Sequence, residues 1–522
     1  MKKCYLMRTL CLFLTSSAFL VSACNSATSS PKNSPVEEIS ENTAETIENS
    51  SNSSDKSVEA GTYSSDEDGG HAITVDGETA EYSNATVSKT GNSEGDEADF
   101  YGENSAIFAT NKANLTLSDM DISTDGKHAN GVFSYGEGTV INISESTINT
   151  KGDCSGGIMT TGGATMNASN LEIHTSGNSS AAIRSDRGGG IVTVTGGNYI
   201  TDGKGSPAVY STADITINDA SLTSNASEGI VVEGRNSVTL NNVTLSADHN
   251  QHNSDKSDIF KGIMIYQSMS GDADTGLSKF TANGGSITNN KGDVFFVNNT
   301  ATDISLSSVN ITNKGDGVFL RAAAAGWGNE GSNGGKVNLT ASSQAISGDF
   351  VVDDISTLNL YLKEASTFEG AINNDATDGK IYLELDEGSK WILTADSNIS
   401  SLTCDEDSID LNGYTLTVDG KTYEEATSSQ GEMIEIEISE NSGKDGDKPA
   451  HMDGNGEPLG GDGSQMPKDM KMKDSGREDT QFPKDGERPT PPDGQVSEKP
   501  NGEPPQKPDG EEMKGEAEKT IN

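Results

Sequence analysis

Proline is almost missing from the middle of this chain. Of fourteen prolines, only Pro207 falls between residues 60 and 440, and eleven crowd into 441–522. Proline cannot donate to a strand ladder, so the middle is free to form unbroken sheet. Basic residues are scarce too. There are 36 Lys and Arg against 81 Asp and Glu, a net charge of −45. That balance excludes nucleic acid as a partner, because phosphate binding needs Lys and Arg. Apolar residues make up 31% of the chain and aromatics 5%, little for one globular core in 522 residues. The apolar run Leu10–Val21 is too short to cross a membrane as a mature helix. No phosphate loop, nucleophile triad or zinc-ligand spacing is present.

What is there is a repeat of about 25 residues. The segments 105–122, 130–148, 155–173, 180–200, 206–223 and 227–245 align with one another. Each has a small residue, an apolar-large pair, a turn, an alternating apolar stretch, a second turn and a last apolar residue. Short segments with a period of two are strands. Three short strands per repeat give an all-β fold, a right-handed parallel β-helix solenoid. The middle strands predict an inward row at Leu117, Ile143, Ala168, Val194, Ile217, Leu240, Ala282, Leu306, Leu339 and Leu360. The third strands predict another at Ile122, Ile148, Ile173, Tyr199, Leu222, Leu245, Ile287 and Ile311. Gly, Asn, Asp and Ser fill the turns, where positive φ is needed. The domain is expected over 61–440, with 380–437 as the last coils and a β cap, and the strands around Ile73 and Val87 as the opposite cap.

Five cysteines occur, at 4, 11, 24, 154 and 404. Cys154 and Cys404 lie about ten coils apart, roughly 50 Å at strand spacing. A disulfide needs Cα atoms within about 7 Å, so these two cannot pair within one chain.

The N-terminus reads as a targeting segment. Lys2, Lys3 and Arg8 precede the apolar run, and Leu20-Val21-Ser22-Ala23 precedes Cys24. This arrangement is similar to the bacterial lipoprotein signal. The resemblance implies cleavage after residue 23 and a lipid thioether on Cys24, anchoring the chain in the bilayer on the extracellular face of the cell membrane. Residues 24–60 are polar and read as a disordered tether, and 441–522 as a disordered, acidic, Pro/Gly-rich tail.

Segments such as SAAIRSDRGGG (180–190) and GSPAVYSTADITI (205–217) resemble pectin-lyase-like β-helix proteins of bacterial surfaces, most of all adhesin-like lipoproteins. The resemblance covers about 70–420. It implies the fold and leaves the activity open, since this architecture carries lyases, hydrolases, carbohydrate binders and adhesins. The Arg- and Pro-rich lyase motifs and the polygalacturonase signatures are absent. The stretch Asp272-Ala273-Asp274 offers two carboxylates to Ca²⁺, the one weak metal candidate, and a turn rich in Asp is the plainer account. No other cofactor is indicated. His249 and His252 read as part of a solvated loop.

The first strands carry two adjacent rows. One is Ile107, Val132, Ile158, Ile183, Val209, Ile230, Ile263, Phe295 and Val318. The other is Phe108, Phe133, Met159, Arg184, Tyr210, Val231, Met264, Phe296 and Phe319. The β-branched row suits the core, so the aromatic row is expected to face outward as an apolar stripe roughly 40 Å long. Insertions at 246–260, 267–278 and 322–336 flank it. They suggest a trough lined by Tyr266, Phe296, Asn298, Phe319, Arg321 and Trp327, binding a polysaccharide or another host or cell-surface polymer. The expected protein is thus a monomeric, lipid-anchored, non-catalytic surface protein. A divergent polysaccharide lyase or glycoside hydrolase and a structural spacer are the alternatives.

Overall fold

The computed structural model describes residues 56–58, 60–315 and 317–439. Cys24, the segment 1–23, nearly all of 24–60 and the tail 441–522 lie outside the described residues. Three strands recur in each coil, for instance Ile107–Thr110, Asn114–Ser118 and Asp121–Thr124. Stacked coil on coil they make three parallel sheets, called here the first, second and third, of 11, 14 and 10 strands. This is a parallel β-helix. The stack opens at Lys56–Val58, which pairs with Thr79–Ser83, so the fold starts inside the stretch read as tether. The strands Ile73–Asp76 and Thr86–Lys89 are ordinary rungs of the first and third sheets rather than a cap.

The inward rows follow from alternation. On the third sheet every expected residue from Ile122 to Ile311 lies beside its neighbour. On the second sheet the row holds from Leu117 to Leu306. There it slips: Leu306 pairs with Ala341, and Leu339 with Ile304. Strand Lys336–Ser342 has seven residues with Val337, Leu339 and Ala341 all buried, so a shift of two keeps the same face inward. The third column breaks after Asn310–Asn313 and resumes as a four-stranded sheet at Ala345–Ser347. Near this change the core becomes aromatic. Phe280, Phe295, Phe319, Phe350, Phe368 and Trp391 stack with centroids 5.0–5.6 Å apart.

The turns stack as well. One residue with positive φ separates the second and third strands in coil after coil, among them Asn84, Asp119, Glu145, Asn170, Asp219 and Asn242. Between the third and first strands a glycine ladder runs through Gly126, Gly152, Gly177 and Gly203. A Cβ on any of these would sit 1.9 Å from the carbonyl oxygen of the glycine one coil earlier. Ser155, Ser180 and Ser206 sit beside it, each hydroxyl bonding to a glycine carbonyl of the preceding coil. Cys154 and Cys404 are both free, as their separation requires. The parallel order ends in the hairpin Leu416–Val418 with Lys421–Thr422, and an antiparallel bridge joins Cys404 to Ser429.

Candidate functional site

Several central strands of the first sheet are buried on both sides, whereas Ile73–Asp76 at its start still alternates with solvent. Every residue of Ile158–Thr161, Ile230–Glu233, Lys261–Tyr266 and Asp293–Asn298 is buried. Its inner face meets the core. Its outer face lies under the insertions. The expected phase holds from Ile107 to Phe295 for the inner row and from Phe108 to Phe296 for the outer one. The long exposed stripe is not there, however, because the loops close over most of it and leave a cavity of about 120 Å³ lined by Tyr210, Val231, Met264, Tyr266 and Trp327. Val231, Met264, Tyr266 and Phe296 form a second apolar cluster, packed against Tyr210, Ile259, Ala323, Ala325 and Trp327. Trp327 is the lid of that cluster, its ring 5.3 Å from that of Tyr266.

Phe319 is not in the outer row. The register shifts between Val318 and Leu320, which puts Leu320 beside Phe295 and Arg321 beside Phe296. One extra residue at a bulge reverses the faces. Phe319 is therefore 0% exposed in the core, and Arg321 bonds the buried Asp293 at 2.6 Å. Asn298, also 0% exposed, is a staple: its amide donates to the carbonyls of Ala323 and Asn333 and holds the 322–336 insertion down. Of the six expected lining residues, Tyr266, Phe296 and Trp327 meet in one apolar cluster, while Asn298, Phe319 and Arg321 serve the framework.

The outer face also carries charge that periodicity does not reveal. The Glu233 carboxylate, 1% exposed, accepts bonds from the hydroxyls of Tyr210, Tyr266 and Ser268. Burial, then the charge of Glu233, holds both tyrosines well above their ordinary pKa. Asp186 accepts from the Arg184 guanidinium at 2.8 Å and from the Arg187 backbone at 3.0 Å. Burial pushes its pKa up to about 6 against the pull of Arg184. Glu228 faces His249 at 3.5 Å and Lys261 at 3.9 Å, and burial lowers the pKa of Lys261. His249 is thus a buried partner of Glu228 rather than a solvated side chain, and His252 stacks on Phe260.

Beside this face a wider opening remains. The short helix Asp96–Phe100 and the 271–274 loop approach each other over the turns that join first to second strands, beside the first sheet, and leave a cleft of about 410 Å³. Tyr101, Tyr135, Arg187, Arg235, Asp272 and Asp274 line it, with the backbone of Gly188–Gly190 as part of its wall. Arg187 ties the two sides together. It bonds Asp272 at 2.8 Å and Asp96 at 3.3 Å, and its guanidinium lies 3.8 Å from the centre of the Phe100 ring. Arg235 bonds Asp274 at 2.6 Å. The two carboxylates offered to Ca²⁺ by the sequence thus each face an arginine. Tyr101 and Tyr135 meet edge to face at 5.7 Å and stay half-buried. Rings and guanidinium groups at one cleft can stack on a sugar and bond its hydroxyls. Arg187 and Arg235 stand in turns, at positions that the repeat does not mark. Tyr101 belongs to an insertion outside the repeat, and nothing periodic marks it.

No family model matches the chain, no curated protein matches it, and no solved structure matches it.

Proposed function

We propose that this is a lipid-anchored bacterial surface protein whose β-helix binds an extended polysaccharide without transforming it. It acts as a monomer held off the membrane by the part of its 24–60 segment that precedes the first strand at Lys56. The N-terminal pattern ending in Cys24 supports the anchor. The cleft beside Tyr101 and Tyr135 carries the binding half of this reading, because it is open, polar and lined by rings and guanidinium groups. This reading puts the binding position at the cleft beside the first sheet instead of around Phe296 and Phe319.

A glycan array with the purified chain, followed by titration of any hit, tests the reading. Tyr135→Ala and Arg235→Ala together should weaken binding by about 1–3 kcal/mol with an unchanged melting temperature. A hit bound equally by the double variant would remove the cleft assignment. An array without hits would favour a structural spacer. Replacing Cys24 with Ala should release the protein from the membrane fraction or leave its signal uncut.

A hydrolase or lyase is the second reading, since Asp186 and Glu233 are two buried acids and the charge of Glu233 acts on Asp186. Both carboxylates are already engaged, Glu233 by three hydroxyls, which favours a framework role. Release of reducing ends or unsaturated products from a bound polymer would reverse that preference.

A further inference from the structure

Away from the cleft, one cluster brings a carboxylate, an imidazole and a thiol together. Donor atoms of Asp99, His128 and Cys154 all lie within 4.8 Å of one another. They come from three places in the chain. Asp99 sits on the short helix Asp96–Phe100. His128 and Cys154 occupy the same position in the turns of consecutive coils, between the third and first strands. Their amides bond to Asp153 and Asn178, at 2.9 and 2.8 Å, and their φ angles are 55° and 57°. The next two coils put Ser179 (φ 55°) and Gly205 (φ 63°) there. The turn itself is therefore content with serine or glycine. Nothing in the backbone asks for histidine or cysteine, and the chain has few of either, six and five.

Coil stacking sets the spacing. Adjacent rungs are about 4.8 Å apart, so side chains leaving consecutive turns can converge on one small ion. The helix then adds a third donor from the side, its carboxylate 2.8 Å from His128 Nδ1. The His128 side chain is 7% exposed and that of Asp99 27%, so the cluster is walled by protein yet reachable from solvent. A thiolate, an imidazole and a carboxylate together suit a borderline-soft ion, and oxygen-loving Ca²⁺ and Mg²⁺ do not choose such a set.

We propose that Asp99, His128 and Cys154 form a zinc site with its fourth position open to solvent. Zinc there would join the helical insertion to two successive coils. It would pin one wall of the cleft, because Asp96 and Phe100 of the same helix hold Arg187.

The test uses untagged, reduced full-length protein titrated with Co²⁺ as a spectroscopic stand-in, then with Zn²⁺. The expected result is one equivalent of Co²⁺ with tetrahedral visible bands and a thiolate charge-transfer band, displaced by one equivalent of Zn²⁺. Cys154→Ser should abolish the charge-transfer band. His128→Ser and Asp99→Asn should each weaken binding by at least about tenfold. Serine occupies this turn one coil after Cys154, so Cys154→Ser should melt like the parent in the presence of a chelator, while His128→Ser, which also gives up its bond to Asp99, is read by Co²⁺ affinity. Absence of Co²⁺ binding to the parent would overturn the proposal. So would a charge-transfer band that survives in Cys154→Ser, since it would then belong to another thiol.

Discussion

The first and second sheets are made by the same coils from strands of similar length, yet they are buried differently. On the second sheet alternate residues are shielded, as in Val140–Ser144, Asp214–Asn218 and Lys336–Ser342. On the first sheet whole strands are shielded, as in Lys261–Tyr266 and Asp293–Asn298. Water on one face of the second sheet imposes strict alternation. Loops on the outer face of the first sheet lift that rule and set another, that each buried polar group must find a partner. Glu233, Asp186 and Asp293 meet it with hydroxyls, amides and guanidinium groups.

The largest effect should come from the inner face of the second sheet. Ile217 is 0% exposed, and a carboxylate in its place would be buried without a partner. Ile217→Asp should cost several kcal/mol, on the order of the whole stability of a domain. Asp219→Asn, two residues on at a φ of 53°, should melt like the parent, because Asn tolerates that conformation. Equal melting temperatures for the two variants would break the comparison at its base.

Next comes the outer face of the first sheet. Glu233→Ala leaves three hydroxyl donors without their acceptor and should cost about 3–4 kcal/mol. Hydrogen exchange should quicken in 267–276 and stay unchanged in the second-sheet strands of the same coils. A uniform rise in exchange would mean that the loop and the sheet open together.

Asp186 gives a smaller effect with a definite sign. Its folded pKa, about 6, lies above its ordinary value of 3.8, so the folded state holds the proton more tightly. Its contribution should therefore favour folding at low pH and decline as pH rises from about 4 to about 6, by at most about 3 kcal/mol. Denaturant titrations across that window should show the slope in the difference between the parent and Asp186→Asn. A flat difference would mean that Arg184 already holds the carboxylate ionised.

The smallest effect belongs to the outer face of the second sheet. Asn142 accepts an exposed bond from Asn167 at 2.9 Å, and Asn142→Ala should change stability by no more than about 0.5 kcal/mol.

Much of the fold was legible because a period of two, repeated coil after coil, is imposed by water on one side and core on the other. Ile122 to Ile311 and Leu117 to Leu306 could be placed from the sequence for that reason. Leu339 does face inward as expected, but its neighbour across the rung could not be read, since Val337, Leu339 and Ala341 are equally good inward residues. Phe319 could not be placed either. A bulge adds one residue without changing composition, and the apolar pattern reads equally well in both phases. The site was less legible than the fold. That the outer row is apolar shows in Phe108, Phe133 and Phe296, but that it is covered depends on where irregular insertions run. Tyr101, Asp99 and the 271–274 loop lie in such insertions, and they are what close the face and shape the cleft.

The antiparallel bridge at the last rung has a consequence for assembly. A parallel β-helix ends in strands with unused amides and carbonyls, and a second molecule stacked end to end could extend the ladder. That contact is head-to-tail and does not close, so it would grow a fibre. Here the amide and carbonyl of Cys404 are both taken by Ser429, at 3.0 and 2.9 Å. A following strand in parallel register finds that position already filled by chain running the other way. The hairpin and the segment after it thus act as a terminator of polymer growth, and a chain cut before Ser429 should form filaments where the whole protein does not.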